Sequence, residues 1–391
     1  MTDTIRTQRG CLICDCIHAE KLLNYSVATE RFYDKLPRNF NIVACNNCGL
    51  IYYDILSTQT IYDDYYKYYS VYENLGQSYG HFTKNIINLY QKRADEIVDF
   101  ICQDSTILDI GCANGNFLDT LKKMGFKNLC GLDVAPKCVE LVQQKGFEAY
   151  EGGVFEEIPT LYNRFDCITL TQVLEHIYDV NGAIENIKRM LKPKGLLYIE
   201  VPDASRYHLF AKHAFSHFQY EHIFHFDPVS LENLAVRHGF QVKSIVQRDA
   251  IFNTDEPTMP YVSVILQCTE RNHLKMGDAK DKVKLFIELS RNNTGKLISE
   301  LSSSEKPLAI WGIGTSAMQL LNQDLSKCNI QYLIDSNPLK QGMTLQQYTI
   351  KAPSVLVEEG FKGRIFISSA LYQNEIIDQI RSMGLKNECF F

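Results

Sequence analysis

Two pairs of cysteines carry a specific chemical signal: Cys11-x-x-Cys14 and, thirty intervening residues on, Cys45-x-x-Cys48-Gly49. Knuckles of this kind present four thiolates tetrahedrally to one zinc ion, and a site closed by four thiolates is structural, not catalytic. Cys16 lies close enough to substitute for Cys14 on sequence alone, and buried free thiols are the competing reading. A second signal is Asp109-Ile-Gly111-Cys112-Ala113-Asn114-Gly115, a loop whose glycines let backbone approach a ligand closely. Asp133 follows 22 residues after Gly111, where a carboxylate ending the next strand can accept both hydroxyls of a ribose. A third is histidine: His208, His213, His217, His222 and His225 are half of the chain's 10 His. Among them Glu221-His222 pairs a base with a carboxylate, the arrangement that proton abstraction near neutral pH requires. A second metal site or partly exposed structural histidines are the alternatives there. A fourth is Gly312-x-Gly314-x-x-Ala317 with Asp335 coming 23 residues after Gly312, which read alone is a dinucleotide fingerprint and makes a nicotinamide cofactor a competing idea.

These groups need elements to hold them. Apolar residues at helical spacing over 82–102 (Ile86, Leu89, Tyr90, Ala94, Ile97, Val98, Ile101) predict a helix. Strands then alternate with helices: strands at 106–110, 129–132, 165–170 and 196–201, with helices ending near 124, 145 and 191. Such alternation predicts a parallel sheet with helices on both faces, whose ligand sits beyond the carboxyl ends of the strands. A helix at 228–238 follows the histidines, a polar linker is expected at 269–281, and a second helix at 282–301 leads to the Gly312 turn. Tyrosines crowd 62–72, a density that suits a lid or an interface because each ring brings apolar area and one hydroxyl.

The 391 residues are 45% hydrophobic and 22% charged, with 40 Lys+Arg against 46 Asp+Glu and a net charge of −6. At roughly 150 residues per domain this length suggests two or three domains. A mild acidic excess without a basic block speaks against a nucleic-acid partner or a membrane anchor. No apolar run approaches the roughly 18 residues of a membrane span, and the first 25 residues lack a signal-peptide core, so a cytoplasmic protein is expected. In that compartment the 13 Cys should be reduced, buried or metal-bound, and Cys102, Cys112, Cys130, Cys138, Cys167, Cys268, Cys328 and Cys389 read as small apolar filler.

The Asp109 to Gly115 loop, Gly131-Leu132-Asp133, Gln172-Val-Leu-Glu175-His176 and Leu191-Lys-Pro-Lys-Gly195 resemble the successive motifs of class I S-adenosylmethionine-dependent methyltransferases. The resemblance implies that Asp109, Gly111, Cys112, Ala113, Asn114 and Gly115 cradle the methionine part and that Asp133 holds the ribose, with Val134 and Gln172 beside the cofactor. Residues from Gly153 to Phe155 would flank the adenine. That cofactor carries a cationic sulfonium and no phosphate, which agrees with acids and carbonyls in place of a basic cradle.

Taken with the cysteine pairs, Ile334-Asp-Ser-Asn-Pro338 and Ile350-Lys-Ala-Pro353, the whole chain resembles the nucleotide-sugar C-methyltransferases of deoxysugar pathways. This implies a small zinc-binding N-terminal domain (1–60), a tyrosine-rich lid and leading helix (61–104), a doubly wound methyltransferase core (105–270) and a second, Rossmann-like α/β domain (282–391). It further implies Cys11, Cys14, Cys45 and Cys48 as zinc ligands and Glu221 and His222 as the catalytic pair. His176 would face the substrate, and a tyrosine of the 66–69 stretch, Tyr68, would serve as the lid residue. The family usually has Tyr-His-Glu-His where this chain has Gln219-Tyr220-Glu221-His222, which brings the Tyr220 hydroxyl one position closer to the acid. The expected reaction is C-methylation of a nucleotide-linked keto-deoxysugar. His222 would remove a proton next to a ketone, and His176 or Tyr220 would donate to the enolate oxygen. O- or N-methylation of a sugar or small metabolite is the nearest rival, followed by an NAD-binding bifunctional enzyme or a non-catalytic binding protein. The sugar, the methylated atom and the oligomeric state are not given by these residues.

Overall fold

The computed structural model describes residues 3–26, 35–68, 84–211, 215–250, 259–268, 279–323, 325 and 328–391. His213, Tyr69 and most of the expected 269–281 linker lie outside the described residues. The first elements are β1 (Thr4–Arg6), β2 (His18–Ser26), β3 (Asn39–Cys45), β4 (Ile51–Asp54) and α1 (Gln59–Tyr68). Next come α2 (Lys84–Val98), β5 (Thr106–Ile110), α3 (Asn116–Lys123), β6 (Asn128–Asp133), α4 (Pro136–Gln144), β7 (Glu148–Glu151) and β8 (Phe165–Thr171). A 3-10 turn (Leu174–His176) leads to α5 (Val180–Met190), β9 (Leu191–Pro202), β10 (Phe224–His225), α6 (Pro228–Arg237), β11 (Phe240–Ala250) and β12 (Met259–Cys268). The remainder is α7 (Ala279–Ser302), β13 (Leu308–Trp311), α8 (Thr315–Gln323), β14 (Ile330–Ile334), β15 (Thr344–Leu345), β16 (Tyr348–Lys351), α9 (Val355–Glu358), β17 (Arg364–Ile367), α10 (Gln373–Ser382) and β18 (Cys389–Phe390).

These strands form three sheets. The central one has the order β11-β12-β9-β8-β5-β6-β7. Its middle strands are runs such as Thr106-Ile-Leu-Asp-Ile110, buried almost throughout, as strands covered on both faces must be. The expectation of an all-parallel sheet is corrected at one edge, where β12 runs antiparallel to both β9 and β11. The physical reason is the length of the connection: β11 ends at Ala250 and β12 begins at Met259, too few residues between them for the crossover that a parallel neighbour needs. Helix ends follow their residues. In α6, Pro228 occupies the first turn, the Asp227 carboxylate accepts from Ser230 N at 2.7 Å and Ser230 Oγ accepts from Asp227 N at 2.7 Å, a reciprocal cap.

The N-terminal sheet is antiparallel with the order β1-β2-β3-β4-β10. Its last strand comes from far along the chain: Phe224 pairs with Tyr52 and His225 with Ile51. Tyr53 N donates to Ile223 O at 2.9 Å, so the sheet that begins at the cysteine pairs ends by fixing the backbone next to Glu221-His222. The third sheet has the order β15-β16-β14-β13-β17-β18 and is parallel apart from the β15–β16 pair. Among the described residues no helix is long and apolar enough to cross a membrane.

Candidate active site

The four expected cysteines come together. Cys11 and Cys48 Sγ are 3.5 Å apart, Cys14 and Cys45 Sγ are 3.4 Å apart, and all four sulfurs lie within 4.8 Å of one another. Asn47 N reaches Cys45 Sγ at 3.4 Å, and Gly49 takes the positive φ of 79° that lets its knuckle turn. Cys16 stays out of the cluster, its thiol on His18 O at 3.4 Å. Four soft donors at this spacing fit a closed tetrahedral ion site.

At the carboxyl ends of β5 and β6 the glycine loop is tied to the next strand. Gly111 N donates to Leu132 O at 2.8 Å and Ala113 N to Asp133 Oδ2 at 2.9 Å, while Asp133 Oδ1 accepts from Ala135 N at 2.9 Å. The loop alternates through positive φ at Gly111 (72°), Ala113 (46°) and Gly115 (74°). At Gly111 an added Cβ would also stand 2.4 Å from Val173. Beneath the loop Asp109 accepts from Thr169 Oγ1 at 2.7 Å, and burial pushes its carboxyl up to about 7. Asn114 and Val134 border the loop half-buried, whereas Cys112 packs inward as filler. Asn116 Nδ2 is a buried donor with no partner among the described residues. Lys145 Nζ, the basic group at the loop's end, is held by Asn116 Oδ1 at 2.9 Å and Asp119 at 2.7 Å, and the two acids Asp109 and Asp133 with the Asn116 amide donor fit a cationic sulfonium on a nucleoside.

Gln172 is tied to Glu200. Its φ is 59°, its N–H donates to Glu200 O at 2.8 Å and its side chain reaches Glu200 Oε1 at 3.2 Å. Glu200 is the hub of a buried network that includes Arg93 Nε at 2.9 Å and Arg248 Nε at 3.1 Å. Sequence reasoning passed over these charges, although a lone carboxylate inside the apolar run Leu196-Leu-Tyr-Ile-Glu200-Val signals a buried partner.

The reaction-centre residues meet where the 3-10 turn, the 219–222 segment and α1 converge. His176 and His222 stand ring edge to ring face with centroids 4.6 Å apart. Burial lowers His176 to about 4, and burial together with His176, His225 and His217 holds His222 well below the ordinary histidine value. Both imidazoles are therefore neutral at neutral pH. His176 Nδ1 lies 2.6 Å from Tyr66 OH and 3.2 Å from Glu221 O, and its Nε2 lies 3.7 Å from Glu175 Oε1. Tyr220 OH is 2.6 Å from Tyr65 OH. Burial and the Glu221 charge hold the Tyr220 hydroxyl well above its ordinary value, so it stays a donor. Burial raises Glu221 to about 7. Glu221 Oε2 has no hydrogen-bond partner among the described residues, and no hydrogen bond joins the Glu221 carboxylate to His222 there.

The tyrosines of α1 differ in their surroundings. Tyr68 is 53% exposed, whereas Tyr62 and Tyr65 are buried and Tyr66 touches His176. Residues 62, 65 and 66 share one face of α1 by helical spacing. Lys67 closes the same helix onto Glu151 at the end of β7, at 2.6 Å. Of the other histidines, His225 sits against Tyr207 OH at 3.2 Å, His217 stacks on Tyr207 at 4.5 Å, and His208 lies in the 3-10 segment Ala204–Phe210.

In the third sheet Gly312 N donates to Ile334 O at 2.9 Å and Ile313 N to Asp335 Oδ2 at 2.9 Å. Asp335 Oδ1 accepts from Asn337 N at 2.9 Å, and Lys340 Nζ completes the carboxylate at 3.0 Å while also reaching Ile313 O at 2.8 Å. The acid that a dinucleotide ribose would use is bound to its own chain.

With this geometry in place, comparison with known proteins supplies its chemistry. Residues 82–245 match the family model of a methyltransferase domain. The chain is similar to C-methyltransferase NovU of Streptomyces niveus, 24% identical over 320 residues that cover 78% of this chain and 74% of that one. It is also similar to the ubiquinone biosynthesis O-methyltransferase of Azorhizobium caulinodans, 33% identical over 98 residues, which cover 24% of this chain and 38% of that one. A solved Burkholderia thailandensis 1,6-didemethyltoxoflavin-N1-methyltransferase aligns over 57% of this chain and 97% of its own, with 15% identity and a TM-score of 0.42.

Proposed function

We propose that this protein, an S-adenosylmethionine-dependent methyltransferase, methylates a carbon next to a ketone in a nucleotide-linked deoxysugar. The observation that carries the reading is the pair of neutral, edge-to-face imidazoles His176 and His222 beside the Tyr65–Tyr220 hydroxyl pair. The likeness to a C-methyltransferase supports it, because it runs well beyond the matched domain.

Asp109, the Gly111 to Gly115 loop and Asp133 would hold S-adenosylmethionine, which supplies an electrophilic methyl group. His222 is the base: burial keeps its lone pair free, and it takes the proton from the carbon flanked by the ketone. Tyr220 donates its O–H to the oxygen on which charge then develops, and Tyr65 orients that hydroxyl. His176 is held through Nδ1 by Tyr66 OH and Glu221 O, so it shapes the pocket and does not serve as the donor. Glu221, adjacent in the chain, lends negative charge that favours the imidazolium formed on His222. Helix α1 carries Tyr65, Tyr66 and Lys67, and acts as the strap that excludes water from this step.

Cys11, Cys14, Cys45 and Cys48 hold a structural zinc in this reading, and the N-terminal sheet they anchor fixes the reaction centre through β10. One equivalent of zinc per chain is expected, and removing it with a strong chelator should loosen this sheet and stop turnover. The third sheet grips the nucleotide carrier, whose phosphates suit the N-terminus of α8. The 98-residue likeness to an O-methyltransferase favours a second reading, in which His222 deprotonates a hydroxyl.

The deciding experiment incubates the protein with S-adenosylmethionine and a panel of nucleotide-linked keto-deoxysugars and follows product mass and proton spectrum. A singlet methyl on a carbon that has lost its proton supports C-methylation. A methyl on oxygen or nitrogen leaves the enzyme class intact and discards the enolate.

A further inference from the structure

Glu175 is the one member of the reaction centre with no task in that account. Its side chain is 1% exposed, and neither carboxylate oxygen has a hydrogen-bond partner among the described residues. A buried carboxyl group without a bonded partner is costly, and the cation that acts on it, Arg93, spends its hydrogen bonds on Glu200. What faces it instead are two neutral imidazoles. One Glu175 oxygen and one ring nitrogen each of His176 and His222 all lie within 4.8 Å of one another, with Glu175 Oε1 3.7 Å from His176 Nε2.

We propose that Glu175, His176 and His222 form a binding site for one divalent transition-metal ion of the zinc or cobalt kind, distinct from the cysteine cluster. Two imidazoles and one carboxylate are a donor set that such ions take, and it leaves coordination positions open to small ligands. Ligand atoms about 2.0–2.2 Å from an ion stand about 3–3.5 Å from one another, so a contraction of about 1 Å closes the triangle. His176 is already prepared: Tyr66 OH at 2.6 Å engages Nδ1 and turns Nε2 toward the carboxylate, as an outer-shell partner of a metal-bound histidine does. The ion would also give the Glu175 oxygens the bonded partner they lack. It binds through the lone pair that His222 needs as a base, so an added ion inhibits methyl transfer; this consequence rests on the function proposed above, whereas the binding does not.

The test titrates the full-length protein, its cysteine cluster loaded with zinc, with Co2+ while recording bound metal and visible absorption. One further equivalent is expected, with d–d bands and without the thiolate charge-transfer band that cobalt at the cysteines would give. Glu175→Gln and His222→Asn should each lower that affinity at least tenfold while the cysteine-bound zinc stays at one equivalent. If Glu175→Gln does not fold, His222→Asn decides alone. No further equivalent, or equal binding by the folded variants, overturns the site. Binding of the second equivalent with methyl transfer unchanged upholds the site and removes His222 as the base.

Discussion

The central and third sheets contain the same device built twice, with opposite outcomes. In each, a glycine N–H ties the turn to the neighbouring strand, at 2.8 Å for Gly111 and 2.9 Å for Gly312. In each, the acid after that strand accepts one N–H from the turn and one from two residues further on, all four bonds being 2.9 Å: Ala113 and Ala135 for Asp133, Ile313 and Asn337 for Asp335. The difference is one side chain. Lys340 reaches Asp335 and the Ile313 carbonyl together, whereas no cation reaches Asp133 among the described residues. A glycine turn followed by an acid therefore specifies how two strands are joined, and Lys340, five residues past the acid, adds a cation to the carboxylate in the third sheet.

The largest effect that separates the two sheets lies in cofactor affinity. Asp133→Ala removes an acceptor of charge-assisted hydrogen bonds worth about 1.5–3 kcal/mol each, and should weaken S-adenosylmethionine binding by roughly two orders of magnitude in calorimetry. Asp335→Ala should leave that affinity within a factor of two. Equal losses in both variants would show that the two turns share one ligand and end the comparison.

The next effect is in pH dependence. Glu221 sits at about 7 through burial, and His222 lies well below the ordinary histidine value. The carboxylate is the active form of Glu221, so the rate of methyl transfer should fall about tenfold per pH unit below 7, with Glu221 and not the base setting the limb. Glu221→Gln should be slower at neutral pH and shallower across pH 5.5–7.5, what slope remains belonging to Asp109, while Asp335→Asn keeps the full limb. Stability carries the opposite sign. A carboxyl raised above its unfolded value contributes stability that is full below the unfolded value and lost as pH rises through 7, so Glu221→Gln should flatten the melting temperature there.

What the sequence made legible follows the same division. Strands β5, β6, β8 and β13 lie where periodicity and glycine turns put them, because local residues determine them. The antiparallel β12 and the two-residue β10 were not legible, since their pairing depends on partners far away in the chain. The site splits likewise. Asp133 and Gly111 can be read from a strand and its turn. Glu175, Tyr65 and Tyr66 acquire meaning only when α1 and the 3-10 turn meet over His222, and Arg93, Glu200 and Arg248 only when α2, β9 and β11 bury them together.

Within the reaction centre, Tyr66→Phe tests how much the strap matters to the central sheet. The 2.6 Å contact with His176 Nδ1 fixes the orientation of a ring that has no other side-chain donor on that nitrogen. Its loss should lower kcat by about three- to tenfold, the scale of one neutral hydrogen bond near 1 kcal/mol, with cofactor affinity unchanged. Tyr68→Phe, on the exposed side of the same helix, should change neither.

The smallest effect is the one that isolates Lys340. Lys340→Met leaves the stem in place and removes only the charge, so Asp335 keeps its two backbone donors and loses its ion-pair partner. The pair is partly exposed at the lysine end, so the cost should be about 1–2 kcal/mol, read as a drop of a few degrees in melting temperature. NADH should not shift the melting temperature of the unaltered protein, because the carboxylate that a ribose would use is engaged. If NADH stabilises Lys340→Met alone, the lysine is what closes the turn, and the two sheets differ by that residue. If NADH stabilises the unaltered protein as well, the turn opens in spite of Lys340, and Asp335 takes a dinucleotide ribose.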